Sequence, residues 1–564
     1  MTRVMAKMWY ILSCLLRWSA SAERNHNAGS NTAQSVRITK HKPPSLEAVH
    51  TPNEPILLNI SWHMHTRNNS LMNDIVKLEG ELVTMAAAEQ DLVLQLESLR
   101  SSMQKLRFRV NHLRNHCTLI GSLPNELLGL IFESGPSAID DGGEFAMSIS
   151  QVSQRWRNIA IGTHSLWASI RIDYWCIGEG QFEILDMFIA RSLDHPLDIT
   201  IKLRRDDDDD DYWKDFLEQT SKIFPHVSRW RSFCISGNIR EDIFDVLEPL
   251  ESVEAPMLEA FEVKIKVSPP EWEADDFDEP LHLFQGGAPR LIQIAIYEIS
   301  IFSCQPPISS VVSLRLHHPP NFYDIEQYRS LLNGSSNLTD LELVGKIVDT
   351  DQLYMVALSE TSKIEIPSLR SLTISPSWSA ASFTLYSLLA SLDTPTLESL
   401  TLHCCPWKSD VSEFQEVFRN YGPPRYPHLR SLTLLFADFS QPVALWFTSV
   451  LPSITRIALI ECKSPDTLLE LLLPSDNCVI EHTASFGAIQ DQSSTVNLPL
   501  LRDVCLSSVD LAELDVLCDM ISDRASRSTS IASVQIPSKN FSSIPEERRK
   551  WLQDRVHIKD FKFD

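Results

Sequence analysis

The sequence predicts a mixed α/β chain built from three unlike parts: a long coiled-coil helix, a small all-α module and a strand–helix solenoid. Three observations predict it. Apolar residues recur with a 3.5-residue period from Leu71 to Leu113, two short amphipathic segments follow between Leu119 and Trp167, and a Pro-x-Leu-x-x-Leu-x-Leu phrase returns along the rest of the chain. The parts divide as a tail over 1–68, a helix over 69–118, a helical module over 119–168, a linking strand and helix region over 169–224, and the solenoid with a C-terminal cap over 225–564.

Residues 1–68 are rich in Asn, Ser, His and Pro without an apolar period, which predicts a flexible tail. Arg3 and Lys7 precede the apolar run Met8 to Leu16, and small residues follow from Ser19 to Ala22, so the start imitates a secretory signal. The run is too short to span a bilayer.

Over 69–118 the seam reads Leu71, Ile75, Leu78, Leu82, Met85, Leu92, Leu96, Leu99, Met103, Leu106, Val110 and Leu113, interrupted by Glu89 alone. Alternating steps of four and three define a coiled coil. The alternative is an amphipathic helix folded back on its own domain, but no second helical pattern stands beside it. Self-association as a homodimer through residues 71–116 is therefore expected.

The module over 119–168 opens with Leu123 and Pro124, where a proline at the first turn costs no hydrogen bond, and Glu126 suits the positive end of the helix dipole. Leu123, Leu127, Leu128, Ile131 and Phe132 form one broad apolar stripe. A second helix from about Phe145 to Ile161 sets Ile149, Val152, Trp156, Ile159 and Ala160 on one face, with Arg155, Arg157 and Asn158 opposite. Ser165, Leu166 and Trp167 close the segment.

About fifty residues with this much apolar surface cannot bury all of it alone, so part is left for a partner. The segment resembles an F-box, with its Leu-Pro-x-Glu opening at Leu123, its Ile131-Phe132 pair, its Val152-x-x-x-Trp156-Arg157 helix and its Leu166-Trp167 ending. Ser153 stands where such proteins often carry Cys, and the Gly142-Gly143 region is more polar than usual. The resemblance implies that Leu123, Pro124, Leu127, Leu128, Ile131, Phe132, Val152, Trp156, Leu166 and Trp167 bind or support a Skp-type adaptor. Through that adaptor the chain would join a cullin and RING ubiquitin ligase.

After Trp167, ASIRIDYW predicts a strand, Gln181 to Ser192 a helix, and DHPLDITIKL a turn and strand with Ile199, Ile201 and Leu203 on one face. The Asp206–Asp211 run lacks the spaced ligands and turn glycine of a calcium loop, and is expected to stay solvated.

From residue 225 the repeated phrase is PMLEAFEV, PRLIQIAI, PSLRSLTI, PTLESLTL, PHLRSLTL, PSITRIAL and PLLRDVCL, with degenerate copies SVVSLRLH and SNLTDLEL. Its first apolar positions are Leu258, Leu291, Val311, Leu338, Leu369, Leu397, Leu429, Ile454 and Leu501. Helical stretches such as Phe383–Leu392, Asp410–Tyr421 and Gln441–Leu451 lie between copies. One unit is thus a short strand and a returning helix, with the Leu-x-Leu pair inward and the intervening residues on the concave side. A doubly wound sheet is the alternative, yet the chain has no Gly-x-Gly-x-x-Gly or phosphate loop. The repeats resemble the irregular leucine-rich arrays that follow F-boxes, especially in fungal proteins, although the Asn of the commoner repeat is missing. Ser543, Pro545 and Glu546 start a helix through Trp551 and Arg555, and VHIKDFKF supplies a polar closing strand.

A net charge of −24 argues against nucleic-acid binding, since phosphate contacts need clustered Lys and Arg. Eleven cysteines without a C-x-x-C pattern suggest reduced thiols in the cytoplasm or nucleus. The histidine pairs His63 with His65, and His317 with His318, lack metal-ligand spacing and read as turn or surface residues. No nucleophile elbow, zinc helix or phosphate loop appears, so neither catalysis nor a cofactor is expected. The sequence reads as a substrate-recognition adaptor that holds a target protein on its solenoid. The alternatives are a non-catalytic scaffold whose F-box is vestigial, and a secreted or tethered recognition protein resting on Met8–Leu16 alone.

Overall fold

The computed structural model describes residues 57–116, 120–135, 143–174, 181–204, 210–266, 280–319, 323–357, 363–376, 381–403, 426–437, 451–463, 465–473 and 498–561. The chain falls into two compact units, Met1–Gly135 and Pro136–Asp564, a boundary inside the 119–168 segment. The Met8–Leu16 run, the Asp410–Tyr421 helix and most of the Gln441–Leu451 helix lie outside the described residues, as does most of the Asp206–Asp211 run.

The first unit holds α1 (Leu57–His116) and α2 (Asn125–Glu133). α1 begins twelve residues before 69, so 57–68 belongs to the helix and not to a tail, and His63 and His65 ride on it. The reason is the absence of any Pro or Gly between Pro55 and Gly80. Once nucleated, a helix extends at little cost through residues that do not break it. No helix among the described residues is long and apolar enough to cross a membrane.

The second unit is organised by one parallel sheet. In chain order its strands are β1 (Ser169–Asp173), β2 (Leu197–Lys202), β3 (Trp230–Gly237), β4 (Ala260–Ile265), β5 (Gln293–Tyr297), β6 (Ser313–His317) and β7 (Asp340–Val344). They continue as β8 (Ser371–Ser375), β9 (Ser399–His403), β10 (Ser431–Leu435), β11 (Arg456–Ile460), β12 (Asp503–Leu506), β13 (Ser533–Ile536) and β14 (His557–Asp560). Each strand pairs with the next in sequence, so the order runs one way with no reversal. A doubly wound sheet reverses its order at a switch point, and this sheet has none.

The repeated phrase explains that regularity. The N–H of the first apolar residue of each copy donates to the carbonyl three residues earlier: Leu258 to Ala255, Leu291 to Ala288, Leu369 to Ile366, Leu397 to Thr394, Leu429 to Tyr426, Ile454 to Leu451 and Leu501 to Leu498. The proline two residues before, from Pro256 to Pro499, therefore occupies the second position of a tight turn, where its fixed φ is already right. Val311 and Leu338 make the same turn without proline.

The turn delivers its apolar residue into the interior, and all nine such residues are at most 1% exposed. Leu314, Leu341, Leu372, Leu400, Leu432 and Ile457 then stand side by side in register across β6 to β11. Returning helices cover this face: Ile325–Gly334 buries Tyr328, Leu331 and Leu332, and Ala381–Ser391 buries Leu385, Leu388 and Leu389.

The sheet starts earlier than residue 225. β1 and β2 are its first strands, paired from Ser169↔Asp198 to Asp173↔Lys202, so 169–224 is part of the sheet and not a link to it. Ile170, Ile172, Ile199 and Ile201 fill the inward positions that leucine fills later. At the other end the helix Glu546–Gln553 starts after Pro545 and leads to β14, where only Ile558 is half-buried and His557, Lys559 and Asp560 are exposed. Ser543 ends the preceding helix, Ser538–Ser543, instead of capping Glu546–Gln553. The guanidinium of Arg555 stacks 4.3 Å above the Trp551 ring.

Candidate partner-docking surfaces

In α2 the apolar stripe read from the sequence divides. Leu128 and Phe132, four residues apart, are each 1% exposed, whereas Leu127 is 46% and Leu130 is 55% exposed. Leu123 and Ile131 are half-buried and Pro124 is exposed. The carbonyl of Pro124 accepts the first helical bond, from the Leu128 N–H at 3.1 Å, which places the proline where its missing N–H costs nothing. Leu130 is outside the predicted stripe, yet it is the most exposed apolar side chain of this helix.

The predicted helix over Phe145–Ile161 is two helices, α3 (Glu144–Val152) and α4 (Gln154–Gly162). Ser153 separates them with extended dihedrals, φ −159° and ψ 162°, and its hydroxyl accepts from the Trp156 N–H at 3.2 Å. A serine able to cap the next helix offers the backbone an alternative to continuing the first.

Ala146, Ile149, Trp156 and Ala160 are buried, while Val152 at 45% and Ile161 at 37% face solvent. Leu166 is half-buried. Trp167 is fully buried; its indole N–H donates to the Ala160 carbonyl at 2.7 Å, its ring meets Phe188 edge-on at 5.1 Å, and Arg191 lies 4.3 Å above it. Gly143, at φ +82°, precedes α3, and a Cβ there would stand 2.3 Å from the Phe188 ring.

The predicted residues therefore sort into three groups. Leu128 and Phe132 are buried in the first unit and Trp156 and Trp167 in the second, Leu123, Ile131 and Leu166 are half-buried, and Pro124, Leu127 and Val152 are exposed, with Leu130 and Ile161 added by the structure.

The second surface is the face of the sheet opposite the helices. Its side chains are the ones between the inward leucines, and over β4 to β9 they are polar except Ala260, Ala295 and Val344. On neighbouring strands Tyr297, Arg315, His317 and Glu342 form a cluster: His317 Nε2 lies 3.0 Å from Glu342 Oε1, Arg315 Nε lies 3.3 Å from Glu342 Oε2, and the Tyr297 ring meets the His317 ring edge-on at 4.5 Å. Lys264 Nζ stands 4.9 Å from the Tyr297 centroid.

The hydrogen bond with His317 favours the ionised Glu342 and holds its carboxyl below the usual range, against the opposing effect of partial burial. Burial pushes the nearby His403 imidazole down, toward its neutral form. His317 thus lies within a strand and in a charged network; only His318 occupies the bend that follows, with φ 44°. Nearer the start of the sheet, Arg231 pairs with Asp198, and Ser232 donates to the same carboxylate at 2.8 Å.

Burial drives the thiols away from reactivity. Cys304 is pushed up to about 12, and Cys234 and Cys462 to about 11, so all three stay protonated at neutral pH. Among the described residues no group of three or more His, Cys, Asp or Glu side chains could hold a metal ion. Comparison of the chain with protein-family models and with curated proteins finds no match.

Proposed function

We propose that the chain is the substrate-recognition subunit of a Skp/cullin ubiquitin ligase working in the cytoplasm or nucleus, and that it performs no covalent chemistry itself. The F-box-like segment 119–168 docks a Skp-type adaptor, and the leucine-rich-repeat-like solenoid of strands and returning helices holds a target protein on the open face of its sheet.

The observation that carries this reading is the exposure of Leu127 and Leu130 on a nine-residue helix whose Leu128 and Phe132 are buried. A short helix with an anchored side and an apolar side in solvent suits a protein partner that covers the second. In the second unit Val152, at the end of α3, is an exposed apolar side chain of its own. For the target, the Tyr297, Arg315, His317 and Glu342 cluster offers an aromatic ring with charges of both signs, the residue types that fix register between proteins.

The test is capture of the Skp-type adaptor and cullin by the tagged full-length chain. Leu127→Asp with Leu130→Asp, or Leu123→Ala with Pro124→Ala, should abolish capture while leaving the melting temperature within a few degrees of the parent. Capture that is unchanged in both double variants overturns the assignment. A natural chain that purifies with neither adaptor nor cullin would instead be a scaffold with a vestigial F-box.

A further inference from the structure

The seam of α1 has no cover within the described residues. Its twelve apolar side chains, Leu71 to Leu113, are each between 46% and 65% exposed. An apolar line of that length in water, broken at Glu89 alone, calls for a partner helix. Its flanking charges identify the partner and its direction.

With Ile75, Leu82, Leu96, Met103 and Val110 at a positions, the residues bordering the seam are acidic in the first half, Asp74, Glu79 and Glu81, and basic in the second, Arg100, Arg107, Arg109 and Arg114. Side chains at e and g positions set partner and orientation in coiled coils. Two copies side by side in the same direction would face Asp74 with Glu79 and Arg109 with Arg114, and would bury Glu89 against Glu89. Like charges in an apolar layer are costly.

Reversing one copy removes every one of these conflicts. We infer that α1 pairs with a second copy of this chain as an antiparallel two-stranded coiled coil, with Ile75 of one copy opposite Leu113 of the other. The remaining layers in this register are Leu78 with Val110, Leu82 with Leu106, Met85 with Met103, and Leu92 with Leu96. Glu79 then borders the partner's Arg107 and Arg114, and Glu81 borders the partner's Arg109. Glu89 falls opposite the partner's Leu99, next to the partner's Arg100, so the one charge in the seam meets a cation. Sliding the copies by one heptad toward the N-terminus keeps the apolar layers but places Glu89 beside the partner's Val93 and strands Glu81 and Arg114. The charges therefore favour the first of these two registers, and a slide the other way leaves Leu71, Ile75 and Leu78 without one of these apolar side chains opposite.

The experiment uses the full-length chain. Sedimentation equilibrium at tens of micromolar should give twice the monomer mass. Met85→Cys with Met103→Cys, oxidised and mapped by mass spectrometry, should yield an intermolecular 85–103 link, because these exposed positions share a layer. Met85→Cys alone should give no 85–85 link, since those residues lie about 27 Å apart along the axis at 1.5 Å per residue. Glu79→Arg with Glu81→Arg should weaken dimerisation at least tenfold, and adding Arg107→Glu with Arg109→Glu should restore it. A monomer mass, a different oligomer, or an 85–85 link overturns the proposal. None of these readouts involves the adaptor, so their failure leaves the ligase assignment to its own test.

Discussion

At the scale of single residues, neighbours in the sequence have opposite roles, and substitution should separate them. Leu128→Ala opens a cavity at a buried site and should cost about 2–5 kcal/mol, read by chemical denaturation, while Leu127→Ala should be within about 0.5 kcal/mol of the parent. Gly143→Ala places a methyl into the Phe188 ring at a left-handed φ, and a clear drop in melting temperature is expected; an unchanged value would show that Phe188 moves aside freely. Glu342 carries a pH signature. The fold favours its ionised form, so its contribution is present above the ordinary carboxylate range and lost as pH falls through its lowered folded value. Glu342→Gln should therefore be less stable than the parent near neutrality, with the gap closing below about pH 4. A gap that stays constant on acidification would sink this role. Which face of a short helix is buried was not legible in its own periodicity: Leu127 and Leu128 both fit a stripe drawn broadly enough, and only the surroundings choose between them. The His317–Glu342 contact was equally hidden, because it joins residues brought together by the register of β6 on β7.

Elements were legible wherever local chemistry alone decides them. The Pro-x-Leu lead-in announces each inner strand because the proline sets a turn and the leucine anchors it, both within four residues. β1 and β2 use Ile in place of Leu, and β1 has no proline lead-in, so the phrase did not reach them although they occupy the same sheet. The break between α3 and α4 is not legible in the sequence for a related reason. Ser153 is compatible with a helix interior, and its capping of Trp156 decides against that only when the apolar face changes direction. Packing decides the C-terminal units as well. Arg524, in the helix Leu511–Ser526, is fully buried and donates through Nη2 to the Leu498 carbonyl at 2.8 Å and through Nε to the Thr529 carbonyl at 3.3 Å. Arg524→Met keeps the volume but leaves those carbonyls short of a donor. It should destabilise by about 1–3 kcal/mol per orphaned group, seen first as faster hydrogen exchange around residues 498–529.

At the scale of the whole sheet, every strand answers only to the strand before it and the strand after it, and nothing in the pairing closes the array on itself. The number of strands is therefore not dictated by geometry, as it would be in a barrel. Removal of residues 369–396 joins Ser368 to Leu397, which preserves the Pro-x-Leu turn and brings Ser399 to the register that Ser371 held against Asp340. That shortened chain should fold and melt cooperatively, whereas removal of the same length starting from residue 383 cuts a helix and rejoins unlike parts, and should yield aggregate; equal solubility of the two would contradict the nearest-neighbour character of the array. The sheet is in this sense an expandable frame: whole strand-and-helix units can be added or taken away between β1 and β14 without disturbing the pairing of the strands that remain.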